Sequence, residues 1–511
     1  MTNNAKRRAA LAVVWVSIAS VTMAVTKPVF GQEFESATVP AIGLRKQLLV
    51  DDYVIAGKTN VTRELGQVTK ANGGKPVLVA DQPWENANTM LIGSVIHDEG
   101  KFRMFYKANY GGSEPGDPPG MPGLLVAYAE STDGVRWTKP KLGIRTFQGN
   151  KDNNLITPMG MTCLLDPHET DPQHRYKAAY THSPKIMACL AHSPDGLHWA
   201  PYNKGEPVTH RAADTINQIL WDEDAKAYRL YTRTDYQGKL RAKIEVRGTR
   251  DMINPDIKAD PTGWTTIREW HFDREAAKEY ERRQIYSLNG WLYEGVQFGL
   301  LWSYEWPTDL SEGSHDLFKR HERDIMNFFI LTTRGDEPWD LRWVYANKPL
   351  IPRGPDGSFD KDWVQPAVTI VTWQDKHWFY YSGAMERHNR GKEGRPSAMG
   401  LAKLRLDGFV CLEAKGKPGT VVTKPFKLEG SKLEVNVDAK MGSVLVEVLD
   451  ARGKSIPGFS GADATEYAAV DELRLQPRWK SDKDLTALKG QVVRLRLALE
   501  NARFYSFKFS D

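Results

Sequence analysis

The chain has 511 residues, of which 41% are apolar and 26% charged, with a formal net charge of +5. This balance points to a soluble globular protein of about two to four domains and excludes a disordered chain or a polytopic membrane protein. The positive excess is small, spread along the chain and partly held in the first eight residues, which argues against a dedicated nucleic-acid surface.

The chain opens with Lys-Arg-Arg at 6–8, followed by an apolar run over 9–25 and a Lys-Pro-Val-Phe-Gly segment ending at 31. That order is expected of a secretory signal cleaved after Gly31, with a retained anchor as the alternative, so the mature protein is expected to be secreted or periplasmic and free of the membrane. Only Cys163, Cys189 and Cys411 occur, without metal-ligand spacing. They read as packed thiols, a Cys163–Cys189 bridge being the alternative.

From residue 94 onward one pattern recurs: an apolar stretch, an acidic turn, then an aromatic-rich strand. It appears at 94–98 with 102–106, at 162–166 with 175–180 and at 218–222 with 228–231. Weaker copies run from 292 to 302 and on to 331, and from 368 to 406. Two copies carry Asp-Gly with a Trp three residues later, at Asp133-Gly134 with Trp137 and at Asp195-Gly196 with Trp199. Asp-Gly supplies a turn needing positive φ, and the Trp is placed to cover an edge between neighbouring sheets. Asp98, Asp166 and Asp222 close the first strand of their copies and are read as structural turn residues. Only 274–283 reads as helical.

Five such units, none able to bury both faces alone, predict an all-β fold: a five-bladed β-propeller over 43–415. Past the connector at 413–419, period-two strands at 433–437, 443–448, 492–497 and 504–509 predict a β-sandwich over 416–511. The Leu-Leu-Val-Asp-Asp-Tyr-Val-Ile run at 48–55, Pro83-Trp84-Glu85, Glu-Ser-Thr-Asp-Gly at 130–134, Asn153-Asn154 and Thr-Lys-Pro-Phe at 423–426 support the same layout. Together these features resemble secreted bacterial proteins related to family 32 and family 43 glycoside hydrolases. The Asn-Asp-Pro-Asn and Arg-Asp-Pro segments of invertase-like enzymes do not appear. The resemblance implies a pocket at the propeller axis, with carboxylates contributed by the starts of innermost strands.

Glycoside cleavage needs a protonated carboxyl for the leaving oxygen and an ionised one as nucleophile or base. Asp214, ahead of the third innermost strand, is the candidate base, nucleophile or electrostatic partner. Glu294, read as opening the fourth and flanked by aromatics, is the candidate acid. Glu85 is the corresponding residue of the first unit. Asp52, Arg63, Trp84, Asn153, Asn154, Arg283, Gln365, Arg387 and His388 are candidates for binding sugar hydroxyls, an Asp–Arg63 ion pair and loop packing by Trp84 being the structural alternatives. No cofactor is required by this chemistry, no metal ligands are assigned, and a structural Ca2+ stays open. The expected partner is an oligo- or polysaccharide. Glycan or cell-surface binding without cleavage, and glycoside phosphorolysis or transfer, remain alternatives. Serine-hydrolase elbows, P-loops, zincin helices and dinucleotide fingerprints are absent from the sequence.

Overall fold

The computed structural model describes residues 39–111, 123–182, 185–209, 214, 216–235, 247–272, 283–306, 324–387, 396–480 and 484–511. The expected signal segment and His388 lie outside these residues, as does the helical stretch expected at 274–283 apart from Arg283, which opens a strand. No described helix is long and apolar enough to cross a membrane.

The described chain is all-β apart from short helical turns. Three four-stranded antiparallel sheets follow one another, each built in chain order. The first comprises Leu91–Asp98, Lys101–Tyr110, Leu124–Ser131 and Leu155–Ile156. The second comprises Cys163–Leu165, Tyr176–His182, Met187–Ser193 and Ala200–Pro201. The third comprises Gln218–Asp222, Ala227–Asp235, Arg247–Asn254 and Thr265–Trp270. An eight-stranded sheet then takes Arg283–Tyr293, Val296–Glu305 and Ile325–Thr333, joined by one parallel contact, Met326 to Trp363, to a second group. That group is Trp363–Pro366, Val371–Trp373, Lys376–Ala384 and Ser397–Arg405, and its outer edge is completed by Thr69–Lys70 from far upstream.

These strands are apolar on both faces because sheet packs against sheet. Val296–Glu305 is buried at all ten positions. The first strands of successive sheets touch, and that of the last group returns to the first sheet. Val368 N donates to Gly93 O at 2.8 Å, and Gln365 Nε2 donates to Ile92 O at 3.1 Å. Gln218 joins the third sheet to both groups of the eight-stranded sheet, its Nε2 donating to Gly290 O at 2.9 Å and Val368 O at 2.5 Å. Glycine is required at Gly93, where a Cβ would fall 2.0 Å from Met161 O.

The repeated Asp-Gly element recurs bond for bond. Ser131 Oγ accepts from Asp133 N and Gly134 N while Asp133 Oδ1 accepts from Val135 N and Arg136 N. Ser193 and Asp195 do the same for Gly196, Leu197 and His198. Gly134 and Gly196 both have positive φ, and Trp137 and Trp199 pack into the cores between neighbouring sheets. Asp98 and Asp166 are inter-sheet latches: each accepts from a tyrosine of the following sheet, Tyr176 and Tyr228 respectively, the latter at 2.7 Å. Asp222 is held within its own sheet by Arg229 Nε. The three cysteines are buried and unbridged.

A ten-stranded sheet forms the remainder. The boundary expected at 415 falls inside it, because Val410–Ala414 pairs with both Thr62–Leu65 and Ala502–Ser510, and Ile55–Thr59 pairs with Gly419–Thr423. Residues 47–65 and 410–414 therefore belong with the C-terminal strands. Alternation missed this because a strand's pattern records which face is buried, not which partner covers its edge.

Candidate functional site

The end of the sheets at which the first strands begin collects polar and aromatic side chains from several sheets. Arg233, two residues from the end of Ala227–Asp235, donates from Nη2 to Asp214 Oδ1 at 2.9 Å. Its guanidinium carbon lies 5.5 Å from the centre of the Tyr286 ring, and that of Arg247 lies 5.2 Å from the same ring and 5.7 Å from Tyr304. Tyr286 packs on Trp302 with centroids 4.2 Å apart, and Trp302 on Trp363 at 5.2 Å. Leu91 of the first sheet and Ala384 of the last complete this cluster. The result is a buried aromatic cluster, with Trp302 wholly enclosed, beside one partly exposed carboxylate, the Asp214 side chain being 54% exposed. Burial pushes the Asp214 carboxyl up, but the charges of Arg233 and Arg247 outweigh it and hold the group below the usual aspartate value. The Asp214 carboxyl is therefore held ionised and is a poor proton donor in this setting.

A second network lies at the same end. Arg283 Nε donates to Glu305 Oε1 at 2.9 Å, and Asn327 Nδ2 donates to Glu305 Oε2 at 2.7 Å. Arg353 Nε continues to Asn327 Oδ1 at 3.1 Å and its Nη1 lies 3.6 Å from Asp362. Asp362 also pairs with Lys361 at 2.8 Å and Arg387 at 3.6 Å. Arg283 and Arg387, expected to bind sugar, are thus engaged with carboxylates. Gln365 is buried at the first strand of its group, its Nε2 on Ile92 O and its Oε1 without a hydrogen-bond partner among the described residues.

Glu294 is elsewhere. The strand Arg283–Tyr293 runs eleven residues before the chain turns at Glu294-Gly295, with φ of 50° and 73°, and returns as Val296–Glu305. Asp214 lies by Tyr286 through Arg233, so Glu294, eight residues further on, is removed from it by about 26 Å of strand at ~3.3 Å per residue. The two do not form a catalytic pair. Glu294 occupies the same turn position as Glu99 in Glu99-Gly100, between Asp98 and Lys101, and its Oε2 accepts from Lys46 N at 3.2 Å. Two-residue turns with positive φ at both positions favour glycine second, and the shared Glu-Gly pair was the signal. Reading 292–302 as one strand placed Glu294 at the wrong end.

Glu85 is sequestered, its side chain 0% exposed. Oε1 accepts from Tyr106 OH at 2.5 Å, and Oε2 accepts from Lys139 Nζ at 2.7 Å and from Asp81 N and Gln82 N. Trp84 Nε1 donates to Asn154 Oδ1, and Asn154 Nδ2 donates to Tyr106 OH and Tyr128 O. Asn153 Nδ2 donates to Arg145 O while its Oδ1 accepts from Leu155 N. These four residues fasten the loops of the first sheet. Asp52 pairs with Arg63 at 2.6 Å and Lys58 at 2.8 Å; burial opposes ionisation, but those two donors lower its carboxyl to about 2. Arg63 also donates to Leu49 O and Asp51 O, which makes it a brace of the ten-stranded sheet. Among the described residues, no three His, Cys, Asp or Glu side chains converge as a metal site.

Arg233, Tyr286, Trp302 and Trp363 went unrecognised in the sequence. Had the Glu294-Gly295 turn been placed, Tyr286 and Trp302 would have fallen near the same hairpin end, because Ser287 faces Trp302 across it.

No family model matches the chain, and no curated protein matches it. Solved structures similar to it include a glycoside hydrolase at 12% identity, covering 66% of this chain and 92% of that one, with a TM-score of 0.42. A GH62 hydrolase in complex with xylotriose is 11% identical over 66% of this chain and 97% of its own, with a TM-score of 0.39. The exo-inulinase of Aspergillus awamori is 11% identical over 86% of this chain and 99% of its own, with a TM-score of 0.36. Similarity at this level specifies no residue of the site.

Proposed function

We propose that the protein acts on carbohydrate as a glycoside hydrolase-like protein, at the first-strand end of a five-bladed ring followed by a C-terminal sandwich. Support for the ring comes from the three four-stranded sheets, the two groups of the eight-stranded sheet, the contacts of first strands from sheet to sheet and the return of the last group to the first sheet. The reading of the site is carried by one observation: Asp214, ionised and partly exposed, is held by Arg233, which itself packs on a buried aromatic cluster. The buried cluster fixes the arginine that holds the carboxylate, and the carboxylate suits stabilisation of, or attack on, an oxocarbenium-like centre. The protein is exported in this reading, its basic and apolar leader removed after Gly31.

A purified mature chain screened against aryl glycosides and oligosaccharides tests this. The parent is expected to release sugar, and Asp214→Asn to lose at least about a hundredfold in kcat with its melting temperature retained. Equal turnover by the variant would overturn the assignment. The second reading, glycan binding without cleavage, is favoured by the ion pairing of Asp214, Glu305 and Asp362 alike. It predicts saturable binding by calorimetry with no released sugar.

A further inference from the structure

Arg233 is a costly residue for the fold as it stands. Its side chain is only 4% exposed, and of its donors Nη2 alone meets an acceptor, Asp214. Nε and Nη1 are buried without a hydrogen-bond partner among the described residues. A buried N–H left unmatched costs on the order of 1–3 kcal/mol, and more when the group is charged. His182 Nδ1, at the end of the corresponding strand of the second sheet, is likewise buried and unmatched. The one described carboxylate bonded to Arg233 has a side chain just over half exposed. The guanidinium is therefore over-supplied with donors at the point where Asp214 meets the solvent.

We infer that this position takes an anionic group of the ligand, so that the carbohydrate recognised is a charged one bearing a carboxylate or a sulfate ester. The inference rests on the carbohydrate reading for its site and adds the ligand class. Guanidinium donors meet carboxylate and sulfate oxygens through charge-assisted hydrogen bonds about twice as strong as neutral ones. The Tyr286 ring beneath leaves the rim of Arg233 as its hydrogen-bonding direction. A neutral sugar offers hydroxyls, which satisfy donors but leave the buried charge shared with Asp214 alone. Asp214 repels an anion placed against its own oxygens, so the ligand's charged group is set on the part of the guanidinium rim that Asp214 does not occupy.

The test uses the purified full chain in calorimetric titrations with galacturonate, galactose 6-sulfate and galactose at fixed ionic strength, and melting curves with sodium sulfate against sodium chloride. At least tenfold tighter binding of one charged sugar than of galactose is expected, the tighter of the two identifying carboxylate or sulfate ester. The preference should fall to within twofold in Arg233→Gln and be partly kept in Arg233→Lys. Equal binding of galactose and both charged sugars by the parent overturns the inference and leaves the carbohydrate reading intact. Sulfate stabilisation that requires Arg233, with no sugar bound, keeps the anion site and overturns the carbohydrate reading. If neither sugars nor sulfate act on the parent, both fall. The parent comparison stands even if the Arg233 variants fail to fold.

Discussion

Replacing Lys177 by methionine tests how far the ring depends on buried charge. Lys177 is 0% exposed, and its ammonium meets Asp166 at 2.7 Å, Glu169 at 2.9 Å and His174 O at 3.0 Å, so all three protons are used. Methionine fills similar volume and removes the cation. Glu169 keeps Lys258 at 2.7 Å, whereas Asp166 keeps only hydrogen bonds from Tyr228 OH and His168 N. Stranding one partner of a buried pair costs about 3–5 kcal/mol, and these remaining donors place the expected loss near ~3 kcal/mol, roughly a 150-fold shift in the unfolding equilibrium. Because Tyr228 comes from the third sheet, the loss is felt where second and third sheets meet. Urea unfolding followed by tryptophan fluorescence reads it, with Trp221 stacked on His168 at 3.8 Å as a local reporter. Lys177→Met with Asp166→Asn removes the stranded charge and should recover about half of the loss. A single variant within 1 kcal/mol of the parent, or a double variant no better than the single, would refute the reasoning.

Gly134→Ala should cost about 2–4 kcal/mol, because φ is +71° and the new Cβ would fall 2.5 Å from Tyr380 OH and 2.7 Å from Trp378. Gly143→Ala, at the same φ with nothing within 4 Å, should cost only about 1 kcal/mol, and paired melting curves separate the two. Glu169 is opposed by burial, but the bonds of Lys258 and Lys177 bring its carboxyl from 4.5 to about 2. A lowered folded value means its contribution is complete above pH 4.5 and is lost as pH falls through about 2. Denaturation midpoints across that window should fall less steeply in Glu169→Gln than in the parent.

Where the sequence spoke plainly, it did so through turns. Asp133-Gly134 and Asp195-Gly196 needed positive φ, and their identical bonding to Ser131 and Ser193 follows from that local demand. The structural role of Asp98 and Asp166 was also legible from their places in the repeat, although the tyrosines they hold were not. The candidate site was less legible because it depends on which end of a strand a residue occupies. A miscounted turn carried Glu294 to the far end, and sequestration turned Glu85 into a fastener. Arg233 carried no signal of its own, since a lone arginine in the Tyr-Thr-Arg-Thr run at 231–234 alternates like any other strand residue. Its meaning comes from Asp214 and Tyr286, which reach it from separate segments.

Thr69–Lys70 has a consequence for how the chain comes to its final state. The segment that leaves the ribosome among the first must wait for Ala402 and Lys403, about 330 residues later, before its backbone finds a partner. Thr62–Leu65 and Ile55–Thr59 wait for 410–414 and 419–423, and Gln47–Leu48 waits longest, for Ser506 and Phe507. Until then these edges are unpaired, and a deletion that reaches 47–70 or the strand Ala502–Ser510 removes a seam rather than a tail.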